Sequence, residues 1–326
     1  MVLRLALEIQ SVSMCPSWSM TSSLLKIAQG FFGNIFRAIF INAKGEQRDV
    51  GTLNSFAIML CTSYSCLFRI SIPIVLKVPK RAKNITREQE LRARREELTE
   101  TLCWALLASK PKHLNVVTFI GICMDVPGAS GPCQVLTYHT NGSLSGYLKR
   151  NNDTVLETWK VNPQSLFDMV RGIVASVAHL HENQLIHGDL KLDNIVVTHD
   201  GRPCVSDLGK ARKVGGEWPQ GTQLLLDRMP PEFLFHRQFD FRGDVWMLGL
   251  LLLDVFRRRP LNPFKVDAKN RVESVKMEMG EQMENESGTP DVHISRVVAT
   301  VFPRGSNIHT LFEEVLIHCL QFSVDD

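Results

Sequence analysis

The chain has 326 residues, 44 % of them apolar and 22 % charged, with a formal net charge of +3. This is the balance of a globular protein with core enough for one large two-lobed domain or two ordinary ones, and the charge is too weak to imply nucleic acid as the main partner. None of the eight cysteines belongs to a CxxC pair or a zinc-spaced His/Cys cluster, so they read as reduced core thiols of a cytoplasmic protein.

Residues 1–22 lack periodicity and read as an N-terminal extension. Alternation predicts strands over Leu24 to Gln29 and Asn34 to Ile41, joined by the turn GFFG. Residues 42–73 read as an irregular insert. The apolar stretch from Phe56 to Val78 contains Arg69, Pro73 and several hydroxyl residues, which argues against a membrane span. Ile74 to Val78 reads as a strand. A long helix follows from about Thr86 to Ser109, with Asn84 or Thr86 as its cap and Glu88 and Glu90 in its first turns. Its charged face pairs Glu88 with Arg92 and Glu90 with Arg94, and Leu98, Leu102 and Leu106 stripe the opposite side.

Further strands are expected over Val116 to Cys123 and Gln134 to Tyr138. Beyond them the pattern turns helical: Ser143 to Lys149, then Pro163 to Asn183 with Phe167, Val170, Ile173, Val174 and Val177 at helical spacing. Two short strands, Ile195 to Val197 and Pro203 to Val205, precede a loop reaching Glu232. Helices are expected again over Asp244 to Phe256 and Ile308 to Gln321, with a charged, Met-rich stretch at 266–292 between them. The change from strand-rich to helical composition places a boundary near Tyr138.

Three short pieces carry the chemistry. IHGDLKLDNIVV holds His187, Asp189, Lys191 and Asn194; VSDLGKA holds Asp207 and Gly209; MPPE ends at Glu232 and is followed by GDVWMLG. Asp207 supplies a carboxylate and Asn194 an amide oxygen, both suited to a hard cation such as magnesium. They flank a loop that carries a second carboxylate, Asp189.

In this order and spacing the pieces resemble the catalytic loop, the metal-binding triplet and the end of the activation segment of protein kinases, over residues 24–326. The resemblance implies an α+β fold of two lobes: a small strand-rich lobe over 23–138 and a larger helical lobe over 139–326, ending before the family's last helix. It implies ATP and Mg2+ as cofactors and a protein substrate whose hydroxyl takes the γ-phosphate. Asp189 is then the catalytic base, Lys191 neutralises the transferring phosphate, and Asn194 and Asp207 hold the metal. IAQGFFGNI resembles the glycine-rich loop over the phosphates, which assigns Ile27, Gly30, Gly33 and Ile35 to the nucleotide. IVLKVPK puts the phosphate-binding lysine at Lys77, with Lys80 the nearest competitor. Glu96, Glu97 and Glu100 all offer that lysine a carboxylate. The family's apolar residue four positions on selects Glu100, because Trp104 follows it. Leu136 corresponds to the gatekeeper, Tyr138 and His139 to the hinge, and Val196 to the floor beneath adenine.

Several positions depart from the family pattern. Ala28 replaces the first glycine, and Val75 stands where the family has alanine. Gly188 replaces the arginine that binds an activation-loop phosphate. With no tyrosine between Asp207 and Glu232, this implies activation without phosphorylation of that loop. Glu232 is expected to lack its usual arginine partner, at a cost in stability. HLNVV, IGIC and GDVW look like the tyrosine kinases, whereas Lys191 looks like the serine/threonine kinases and the tyrosine-kinase-like group, so the chain resembles the tyrosine-kinase-related members more, while the acceptor hydroxyl, tyrosine or serine/threonine, stays open. The departures also define the alternative: a pseudokinase serving as a nucleotide-binding or scaffold module.

Overall fold

A computed structural model describes residues 25–29 and 33–37 as backbone, together with 74–79, 86–123, 132–216, 228–230, 233, 239–258 and 294–320. The expected extension at 1–22, the insert at 42–73, Gly30, Lys80, Glu232 and the stretch 266–292 lie outside these residues. The chain divides into two compact units. One comprises Met1–Lys112 with Val117–His139, the other His113–Val116 with Thr140–Asp326.

The first unit is built on a five-stranded antiparallel sheet: β1 (Leu25–Gln29), β2 (Gly33–Arg37), β3 (Ile74–Pro79), β4 (Phe119–Cys123) and β5 (Cys133–Thr137), in the order β1-β2-β3-β5-β4. Period-two alternation aims Leu76 and Val78 inward and leaves Val75 and Lys77 half-buried. Helix α1 (Arg87–Ala108) packs on this sheet. It starts at a full capping box: Gln89 N–H donates to Thr86 Oγ1 and Thr86 N–H donates to Gln89 Oε1. Its buried face carries Glu100, Cys103, Trp104, Ala105 and Leu107. The expected leucine stripe is therefore corrected: Leu98 is 52 % exposed and Leu102 and Leu106 are only partly covered. The helix turns Trp104 inward instead, where its ring stacks on Phe119. A large aromatic buries more apolar area than a leucine, so it sets the rotation of the helix.

The second unit contains α2 (Leu144–Arg150), α3 (Asn152–Val161), α4 (Pro163–Glu182), α5 (Phe241–Arg257), α6 (Ile294–Val298) and α7 (Asn307–Cys319). Between α4 and α5 come β6 (Leu185–Ile186), β7 (Ile195–Val197), β8 (Pro203–Val205) and β9 (Arg212–Lys213), paired β6–β9 and β7–β8. Sequence periodicity missed α3, α6, β6 and β9, which are short or lack a strong apolar period. On α4 the core face is Leu166, Met169, Val170, Ile173, Val177 and Leu180, while Val174 is 40 % exposed, contrary to its expected inward place. Helix α5 is apolar nearly all round and is accordingly buried along most of its length. Each fully buried leucine there, such as Leu250 and Leu251, contributes roughly 1.5–3 kcal/mol over exposure. Val116 forms no part of β4. It bridges to Val205, and Asn115 Nδ2 donates to Pro203 O, which ties 113–116 to the second unit. No helix among the described residues is long and apolar enough to cross a membrane.

Candidate functional site

In the first unit the pleat of β3 holds Lys77 across from Ile35 of β2 and Gln134 of β5. From there Lys77 Nζ lies 2.6 Å from Glu100 Oε1, with the side chains 15 % and 3 % exposed. Trp104 Nε1, one turn along α1, donates to the same oxygen at 3.4 Å. Of the three glutamates the sequence offers Lys77, Glu100 is the one brought to it. Glu97 stays half-buried nearby, and burial, with Glu100 beside it, raises its carboxyl above the usual range. Leu136 is buried on β5, opposite both Val75 and Phe119. Tyr138 and His139 follow the strand end, and the His139 ring lies 3.3 Å from Thr137 Oγ1. Ile27 falls at an irregularity in the β1–β2 ladder, and Gly33 opens β2.

In the second unit the cluster is short in sequence and densely bonded. Asp189 Oδ2 accepts from Lys191 Nζ at 2.8 Å and from Asn194 Nδ2 at 3.1 Å. Asn194 Nδ2 also donates to the Asp189 carbonyl at 2.7 Å. Of the two amide atoms only the nitrogen can donate to that carbonyl, so the Asn194 amide oxygen is left as a ligand for a cation. The β7–β8 hairpin pairs Ile195 with Val205, which puts Asn194 and Asp207 at the same end of the ladder. Ser206 N–H and Oγ both donate to the Asn194 carbonyl, locking that end. Asp207 itself adopts left-handed backbone at φ 58°, with its carboxylate accepting from Gly209 N–H. Val196 pairs with Cys204 in the hairpin and bridges to Ser143.

A residue the sequence did not single out holds this loop. Asp244 of α5 is fully buried and accepts from His187 N–H (2.7 Å), Gly188 N–H (2.8 Å) and His181 Nε2 (2.9 Å). Its signal was an acidic residue at the head of the apolar run from Val245 to Leu253, since a buried carboxylate requires donors. His187 accepts from Asp189 N–H at Nδ1 and therefore donates from Nε2 to the Ser206 carbonyl. Gly188 sits at φ 70°, a region glycine enters without strain. Lys210, also unanticipated, is buried with its Nζ 3.6 Å from Asp189 Oδ1.

The donor set suits magnesium rather than zinc. It offers one carboxylate (Asp207) and one amide oxygen (Asn194), and among the described residues no group of three or more His, Cys, Asp or Glu side chains is placed to hold a metal unaided. Magnesium characteristically takes one or two protein oxygens and completes its shell with phosphates and water.

The model of the family described as protein tyrosine and serine/threonine kinase matches residues 74–305, well over half of the chain. The chain belongs to this family. Among curated relatives, the G-type lectin S-receptor-like serine/threonine-protein kinase RKS1 of Arabidopsis thaliana is 30 % identical over 173 residues, 51 % of this chain and 20 % of that protein. Mitogen-activated protein kinase kinase kinase 13-A of Xenopus laevis is 29 % identical over 150 residues, 45 % and 14 % of the two chains. The cysteine-rich receptor-like protein kinase 36 of Arabidopsis thaliana is 30 % identical over 159 residues, 46 % and 23 %. The kinase chain thus spans about a fifth of the length of these relatives.

Proposed function

We propose that the chain is an active protein kinase domain that transfers the γ-phosphate of MgATP to a serine or threonine hydroxyl of a protein. The observation that carries this reading is the Asp189 carboxylate, fixed by Lys191 and Asn194 beside a hairpin whose same end carries Asp207. Asp189 accepts the proton of the acceptor hydroxyl as the oxygen attacks phosphorus. Lys77, held by Glu100, binds the α- and β-phosphates, and the backbone around Ile27, Gly30, Gly33 and Ile35 covers them. Leu136, Tyr138, His139 and Val196 contact the adenine. Asn194 and Asp207 would hold magnesium, which when bound neutralises charge on the triphosphate. Lys191 and the likeness to serine/threonine-protein kinases favour serine or threonine over tyrosine. Cys204 and Cys319 as free thiols support a cytoplasmic setting.

The test is phosphotransfer from radiolabelled ATP with magnesium to mixed serine, threonine and tyrosine peptides, run beside Asp189→Ala. Label on serine or threonine peptides that disappears in the variant supports the reading. Label on tyrosine peptides alone overturns the acceptor. Nucleotide-dependent thermal stabilisation with no transfer moves the domain to the pseudokinase scaffold.

A further inference from the structure

The two oxygens of Asp189 are held unequally. Oδ2 receives two hydrogen bonds, from Lys191 Nζ at 2.8 Å and Asn194 Nδ2 at 3.1 Å. Among the described residues Oδ1 has one cation near it, Lys210 Nζ at 3.6 Å, which is beyond hydrogen-bond length. Oδ1 therefore keeps its lone pairs while standing beside a positive charge. The two lysines also differ in burial: the Lys191 side chain is 26 % exposed and that of Lys210 is 8 %. An ammonium so buried is costly unless paired, and burial does lower the Lys210 pKa, with the charge of Asp189 opposing that shift. Among the described residues the other charged groups around it are Lys191 and Asp207. Lys210 is carried on the 3-10 turn Leu208–Lys210, directly after the left-handed Asp207, so the turn that places Asp207 also aims Lys210 at the base.

We propose that Lys210 is a positioning residue for phosphotransfer, holding the Asp189 carboxylate so that Oδ1 is the oxygen that receives the substrate proton. This rests on the kinase reading above. In the step, the acceptor O–H bond breaks and its proton goes to Oδ1. The acceptor oxygen bonds to the γ-phosphorus, and the bond from that phosphorus to the bridging oxygen breaks, releasing the nucleoside diphosphate. Lys191, the more exposed lysine, exchanges Asp189 for the transferring phosphate. Lys210, enclosed, stays with Asp189 throughout and keeps its carboxylate oriented after Lys191 departs.

The experiment compares Lys210→Met and Lys210→Arg in the full chain, by steady-state kinetics and by urea unfolding. The Met variant should lose at least tenfold in kcat, with KM for ATP and for peptide within twofold, and the Arg variant should recover most of the loss. Should the Met variant not fold, Lys210→Gln carries the same expectation. Unchanged kcat, or an Arg variant no better than Met, overturns the proposal. Independently of activity, a double-mutant cycle of Lys210→Met with Asp189→Asn should show non-additive shifts of the unfolding midpoint. Additive shifts overturn the pairing. A wild-type chain without phosphotransfer would sink the kinase reading, while the cycle would still decide whether Lys210 holds Asp189.

Discussion

The two units hold their chemistry-bearing side chains by different means. In the first, one ion pair joins a strand to a helix 23 residues further on, and its backbone frame is a sheet ladder. In the second, Asp189, Lys191 and Asn194 fall within six residues and bond to one another, and the loop is then clamped from Asp244, more than fifty residues away. The first arrangement turns on one carboxylate, that of Glu100, which takes Lys77 and Trp104 on the same oxygen. The second distributes the task over buried backbone N–H groups that donate to Asp244, so its cost on failure is stability before it is chemistry.

The strongest way to break this contrast is Asp244→Ala. It leaves the N–H groups of His187 and Gly188 buried without their acceptor. At about 1–3 kcal/mol for each orphaned group, the domain should lose about 4 kcal/mol in urea unfolding. A loss below about 1 kcal/mol would show that the loop is held by its internal bonds alone. Gly172→Ala, also in the second unit, should cost about 2 kcal/mol by overpacking. A Cβ there would sit 2.6 Å from Asn115 Nδ2 and 2.7 Å from Pro203 Cγ. Since Asn115 Nδ2 already bonds the Pro203 carbonyl, neither neighbour can yield without losing that bond.

In the first unit the corresponding probe reads binding rather than folding. Glu100→Gln removes the charge that holds Lys77, and MgATP affinity by calorimetry should fall about tenfold, equivalent to about 1.4 kcal/mol. Glu97→Gln is the control: its carboxyl is raised by burial and by Glu100, it accepts nothing from Lys77 within hydrogen-bond distance, and affinity should stay within about twofold. Equal losses in both variants would mean that the helix presents a diffuse acidic face rather than one partner.

The same contrast explains what could be read in advance. The β7–β8 hairpin, α4 and α5 were legible because their apolar periods are strong and turn residues bound them. The Asp189–Asn194 cluster was legible because the side chains that meet are neighbours in sequence. The Lys77–Glu100 contact needed a family pattern, because three glutamates within five positions satisfy the same local rule. Asp244 and Lys210 escaped notice for a common reason. Each is a charged residue whose role comes from burial, and a sequence does not distinguish a buried charge from a solvated one. The leucine stripe on α1 misled in the opposite sense: spacing alone favoured Leu98, Leu102 and Leu106, whereas the area available under Trp104 turned the helix away from them.

The smallest expected effect tests how far the first unit depends on its helix start. Thr86 Oγ1 caps Gln89 N–H at 3.2 Å, and the reciprocal bond from Thr86 N–H to Gln89 Oε1 is 2.9 Å, all in exposed positions. Thr86→Ala should cost about 1 kcal/mol and speed amide hydrogen exchange over residues 87–90. Affinity for MgATP should not move, because Glu100 lies more than three turns on, where Trp104 and Leu107 bury the helix against its unit. If affinity falls along with the cap, Lys77 depends on the entire helix being in register, and a first unit centred on the Glu100 carboxylate gives way to one as distributed as the second.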